Sequence, residues 1–173
     1  MVDKERIVGS KFVRDDSVCS NYEAGQEPRW YVEKNSETTL ILRTCARSEV
    51  VLRVYRKLES GFVGAVVSIM GNHGQSQSFR FFDVSNDGKV KREMTAKEVG
   101  ITEVRDNEFL ARAQYFGQRD NSPVPLSFHP DDGTIEAEPW TFNDPRWDSK
   151  DFVRTIKFIW DGRRFRKTVG SIK

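Results

Sequence analysis

The first regularity in the chain is alternation. In Val50-Val51-Leu52-Arg53-Val54-Tyr55-Arg56, the residues Val50, Leu52 and Val54 fall on one face of an extended strand. Near the C-terminus Ile156, Phe158 and Trp160 do the same, with Lys157 opposite. A period of two puts neighbouring side chains on opposite faces of the pleat, so both stretches predict strands with one buried and one wetter face. Further strands are expected over 29–33, 38–45, 61–70, 109–115 and 134–142.

Glycine turns punctuate these runs. Gly61, Gly88, Gly133 and Gly162 each close a short polar connection between aromatic or β-branched residues, as in Phe158-Ile159-Trp160-Asp161-Gly162-Arg163-Arg164-Phe165. Tight hairpins need positive φ, which Gly accepts freely and Asp tolerates. One such turn says little; a series of them predicts an antiparallel meander. Helix is scarce. Thr95 and Glu98 have capping-box spacing and Gly100 can end the turn, but the segment is too short to be more than a connector. The expected fold is all-β and mainly antiparallel. A meander of hairpins forms a sandwich, an open barrel or a partial-propeller-like domain, with at most one short helical turn near 95–100. The turn glycines are unevenly spaced and no linker stands out, so 1–173 reads as a single domain.

Composition supports a core built on aromatics. Apolar residues make up only 37% of the 173, but aromatics reach 12%, with Phe alone at 12 residues. Each buried aromatic removes about 150–250 Å² from water. The net charge is +2, from 28 basic and 26 acidic residues, so no global field draws the chain to nucleic acid or an anionic membrane. The longest apolar segment, 62–70, falls far short of the roughly 20 residues that span a bilayer. Neither a nucleic-acid partner nor a membrane span is expected; another protein is.

Met1-Val2-Asp3-Lys4-Glu5-Arg6 leads into no apolar signal region. The start is either cytosolic or one from which a leader has been removed. Cys19 and Cys45 bear on the choice. A bridge between them would tie down an irregular segment over 1–27 and stabilise the fold by about 3 kcal/mol on a chain-entropy account. That reading implies a periplasmic or secreted protein, with a cytoplasmic one as the alternative. Counting thiols by mass spectrometry before and after reduction decides it, and two free thiols in the native protein would end the idea.

Candidate chemistry is sparse. The chain has two histidines. His73 sits in a polar connection with Asn72 and Gln75, a loop suited to meeting a partner; His129, before Pro130, reads as structural. No nucleophile elbow, zinc, phosphate-loop or dinucleotide motif occurs. Asp83, Ser85 and Asp87, followed by Gly88, match the opening of a calcium loop. The twelfth position is Met94 rather than a bidentate Glu, and strands flank the segment. No cofactor is therefore expected, calcium being the one alternative.

The acidic stretch 131–151 is the place to look for a paired-carboxylate hydrolase. It also holds Trp140, Arg146 and Trp147, residue types that anchor protein interfaces. A basic C-terminal run follows, in which Arg164 and Arg166 alternate with Phe165, a pattern that protects an edge strand from pairing. The function expected from these readings is a non-catalytic protein-binding module, for example an inhibitor or immunity protein that blocks an envelope or secreted hydrolase or toxin. Asn72, His73, Gln75, Trp140, Arg146 and Trp147 would contact the partner. The alternatives are a small hydrolase using carboxylates or His73, and a structural or ligand-carrying β domain of a larger assembly.

Overall fold

The computed structural model describes residues 30–44, 48–70, 76–110, 123–139 and 153–172. It is nearly all antiparallel β. The first sheet takes its strands in chain order: β1 (Trp30–Asn35), β2 (Thr39–Thr44), β3 (Glu49–Arg56), β4 (Phe62–Met70), β5 (Ser76–Val84) and β6 (Val90–Met94). The second contains β7 (Leu126–Phe128), β8 (Ile135–Ala137), β9 (Arg154–Trp160) and β10 (Phe165–Ser171), in the order β10-β9-β8-β7. Neither sheet closes into a barrel; among the described residues β1 and β6 are the edges of one, β10 and β7 of the other.

Each of the expected glycine hairpins forms, and Gly61, Gly88, Gly133 and Gly162 all have positive φ. The expected turn at Thr95 forms too. The Thr95 N–H donates to the Glu98 carboxylate at 2.7 Å, while the Glu98 N–H donates back to the Thr95 hydroxyl at 3.3 Å. A second short turn was not expected: Asp106–Phe109 is 3-10 helix, so Phe109 does not begin a strand. Cys19, Cys45 and the segment 1–27 lie outside the described residues.

The two sheets share one hydrophobic core. Val51, Tyr55, Val63, Val67 and Phe81 come from the first sheet, and Phe128, Ile135, Ile156, Phe158 and Phe165 from the second. Tyr55 packs its ring against Trp160 and Phe165, with centroids 5.5 and 4.9 Å away. Polar bonds cross the same gap: Gln77 donates to the Ser127 hydroxyl at 3.1 Å and accepts from the Phe128 N–H at 2.9 Å.

One face assignment is reversed. β9 buries Ile156 and Phe158, as its alternation predicts, but β3 buries Val51 and Tyr55 rather than Val50, Leu52 and Val54. The reason is Arg53, which shares the inner face with them. Its guanidinium donates to the Thr39 hydroxyl at 2.7 Å and to the Pro130 carbonyl at 2.9 Å, so a charge that looks like a surface mark spans the two sheets instead.

Candidate functional site

Turning β3 over places its most apolar row on the outside. Register carries the same face across the sheet: Leu40 pairs Leu52, Leu52 pairs Val66, Val54 pairs Gly64, Gly64 pairs Phe82, and Val84 pairs Val90. Residues paired across antiparallel strands point to the same side. The outer face of the six-stranded sheet is therefore apolar around Leu52, Val54, Gly64, Phe82 and Val84, with Val90 beyond them on β6 and the Arg80–Glu93 pair on the same face, opposite Val66 and Phe82. Val54 is 38% exposed and Val90 61%. Further along β2 on the same side, Leu42 and Thr44 are buried, which limits the open patch to the half near the β1–β2 hairpin.

Gly64 lies at the centre. Beside it the face dips into an open hollow of about 290 Å³ whose walls include Leu52, Val54, Phe82 and Val84 and, toward the β1–β2 turn, Ser36, Glu37 and Thr38. The hollow opens to solvent on the outside of the sheet, not into the core. At the rim Arg80 donates two bonds to Glu93, at 2.9 and 2.7 Å, and its guanidinium stands 5.2 Å from the Phe82 ring centroid. Hydrogen bonding from Arg80 holds the Glu93 carboxyl below its usual range.

The four-stranded sheet provides the contrast. Its outer face carries Glu136, Lys157 and Thr168, joined by register, and beside them Ile159, which is exposed and paired with Arg166. Glu136 lies 3.0 Å from the Lys157 ammonium and 3.1 Å from His129 Nε2. That is the ordinary polar exterior of an antiparallel sheet; on the six-stranded sheet the corresponding pair, Arg80 and Glu93, stands beside an apolar patch instead.

The residues singled out in the sequence are distributed differently. Asn72, His73, Gln75, Trp140, Arg146 and Trp147 all lie outside the described residues. Asp83, Ser85 and Asp87 occupy the end of β5 and the turn after it. Asp83 accepts a 2.6 Å bond from Lys57, which lowers its pKa, while Ser85 donates to Asp87 and Asp87 pairs with Lys89 at 3.1 Å. Each side chain is engaged as hairpin packing requires, and no group of three or more His, Cys, Asp or Glu among the described residues is placed to hold a metal ion.

Asp131 and Asp132 of the acidic stretch are engaged likewise. Asp131 pairs with Lys34 at 2.8 Å, and Asp132 accepts from the Thr134 N–H at 2.8 Å. Hydrogen bonds hold both below the usual carboxylate range, opposite to what a general acid needs. Arg166 lies on the edge strand β10 and pairs with Asp161 at 2.5 Å.

Sequence reasoning missed Leu40, Gly64, Val66, Phe82, Val84 and Val90. The signal was available in β5, where Phe79-Arg80-Phe81-Phe82-Asp83-Val84 is apolar on both faces; an antiparallel strand of that kind has something to cover on each side. No protein-family model matches the chain, and neither a curated protein nor a solved structure matches it, so the apolar outer face is the feature on which a functional reading has to stand.

Proposed function

We propose that this chain is a non-catalytic protein-binding module whose recognition surface is the outer face of the six-stranded sheet. One observation carries the reading: the outer face of the six-stranded sheet has a contiguous apolar patch around the Gly64 hollow, bounded by the Arg80–Glu93 pair, whereas that of the four-stranded sheet is mainly polar, with Ile159 a single exposed apolar side chain. Contiguous apolar surface with a polar rim marks interaction sites. A protein suits this surface better than a bilayer does. Membrane-docking faces are bordered by clustered Lys and Arg, whereas Arg80 and Lys89 at this rim are paired with Glu93 and Asp87. An open hollow also suits a protruding side chain better than a small ligand, which pockets usually enclose. Within this reading, a hydrolase or toxin outside the cytoplasm is the partner class that a Cys19–Cys45 bridge would favour.

The test places the photoreactive residue p-benzoylphenylalanine at position 90 on the apolar face, or at position 168 on the polar one, in cells that make the protein natively. Light-dependent adducts with another protein from position 90 but not from 168 are expected. Equal adducts from both positions, or none from position 90, would overturn the proposal.

A further inference from the structure

We infer that two copies of this chain join through the free edge of β10, the two strands running antiparallel about a two-fold axis at Val169. The inference does not depend on the recognition surface proposed above.

The first argument is the state of the edge. Along an antiparallel strand, alternate residues turn their main-chain groups to opposite neighbours. The Arg164 carbonyl accepts from Asp161 and the Ile172 N–H donates to Val153, both on the β9 side, so the even-numbered residues of β10 bond to β9. The odd-numbered ones face away from it. Phe165 is already taken, its N–H donating to the Val99 carbonyl at 2.7 Å. Lys167, Val169 and Ser171 remain, and among the described residues nothing bonds their outward N–H and C=O groups. The stretch from Thr168 to Ser171 is exposed throughout.

The second argument is that this edge lacks the devices that keep other strands away. A register shift interrupts β1 between Val32 and Lys34, β6 is five residues long and charged at Lys91, Arg92 and Glu93, and β7 has three residues. By contrast β10 runs for seven residues in unbroken register without a proline. Its charges are spent within the chain, Arg166 on Asp161 and Lys167 on Glu108. The arginines around Phe165 therefore leave 167–171 unguarded, and Val169 in the middle of that stretch is 58% exposed.

The third argument is that the edge complements itself. With Val169 opposite Val169 of the second copy, Lys167 lies opposite Ser171 and Thr168 opposite Gly170, and every free donor of the stretch meets a free acceptor. A register centred one residue earlier would set Ser171 against Phe165, whose N–H is taken. No like charges face each other, because Arg166 falls opposite Ile172 and the two Val169 side chains cover one another across the axis. Main-chain bonds of this kind supply affinity in strand addition. The contact is confined to one strand, so the dimer forms reversibly with concentration.

The test is sedimentation equilibrium of the full chain at rising concentration, with amide hydrogen exchange followed in parallel. The mass should move from one chain to two, and the amides of Lys167, Val169 and Ser171 should gain protection as it does. Val169→Pro removes one outward N–H and no bond to β9, so it should keep the fold and raise the dissociation constant by about tenfold or more. If that variant does not fold, Val169→Lys and Val169→Glu carry the test, each setting a charge against its own copy across the axis. Each alone should be monomeric where the native chain is dimeric, and an equimolar mixture of the two should recover the dimer. A native chain that stays monomeric up to millimolar concentration would overturn the inference and leave the edge to an extended strand of another protein. A dimer that survives Val169→Pro, or charged variants that fail to recover each other, would place any self-association elsewhere on the molecule and sink it equally.

Discussion

The phenolic hydroxyl of Tyr55 donates to the main-chain carbonyl of Gly133 at 2.7 Å, a buried bond from β3 to the turn between β7 and β8. It ties the two sheets together at the point where Tyr55, Trp160 and Phe165 pack their rings. Burial also pushes the Tyr55 pKa upward, so the hydroxyl stays a donor throughout the neutral range. Tyr55→Phe keeps the ring and removes only the donor. The loss should be about 1–2 kcal/mol, most of it from leaving a buried carbonyl without this partner. Urea denaturation checks it: the midpoint should fall with an unchanged slope, and an unchanged midpoint would mean that the carbonyl finds another donor.

Two glycines should respond in opposite ways to the same substitution. Gly100 has φ of 92°, and a Cβ there would collide with the Phe165 carbonyl oxygen. This is where the helical turn docks on β10, through the Phe165 N–H donating to the Val99 carbonyl at 2.7 Å. Gly100→Ala should cost about 2 kcal/mol or more, from the backbone strain and the displaced strand. At Gly64 the φ is not positive and an added Cβ would make ordinary contact with Val84 Cγ2 at 3.4 Å and Phe82 Cβ at 3.9 Å, so Gly64→Ala should be neutral or stabilising by about 0.5 kcal/mol. Thermal melts of the two variants side by side test the contrast, and equal losses would refute it.

Much of this fold was legible because turns and periods are local. The glycines at 61, 88, 133 and 162 announce hairpins, and Ile156, Phe158 and Trp160 announce their buried face, without knowledge of anything distant. The inner and outer faces of β3 were not legible. Choosing between Val50, Leu52 and Val54 on one side and Val51 and Tyr55 on the other depends on what receives Arg53, and its acceptors Thr39 and Pro130 lie on β2 and in a loop far along the chain. The candidate site was missed for the same reason. Leu40, Leu52, Gly64, Phe82 and Val90 are brought together only by strand register. The loop and aromatic residues chosen instead stood out by type, which indicates chemistry but not position.

Acid should expose the capping box. Glu98 accepts from the Thr95 N–H, from Arg92 and from the Thr95 hydroxyl, and these bonds hold its pKa down to about 2 from an ordinary 4.5. A carboxyl whose folded pKa is depressed contributes stability in full above its unfolded pKa and loses it as the pH falls through the folded one. The difference in melting temperature between the native chain and Glu98→Gln should therefore be constant above about pH 5. It should shrink from pH 4.5 downward and be gone near pH 2. Melts at a series of pH values give the profile; a difference that persists at pH 2 would assign the effect to side-chain shape rather than charge.

The apolar face itself can be tested without a partner. If Leu52, Val54, Val66, Phe82, Val84 and Val90 form an open patch on the native protein, an apolar dye such as 8-anilinonaphthalene-1-sulfonate should fluoresce on binding it at neutral pH. The near-ultraviolet circular dichroism should stay that of a packed core, which separates this binding from the uptake of dye by loosened states. Val54→Thr with Val90→Thr keeps β-branched shape at two exposed positions while making them polar. Each change should alter stability by no more than about 0.5 kcal/mol, because neither side chain is in the core. Dye fluorescence should drop severalfold, whereas the same number of threonines placed at Ile159 and Val169 on the other sheet should leave it unchanged. Equal drops in the two double variants would show that the dye reports scattered exposed side chains rather than a patch, and would remove the basis for a recognition surface around Gly64.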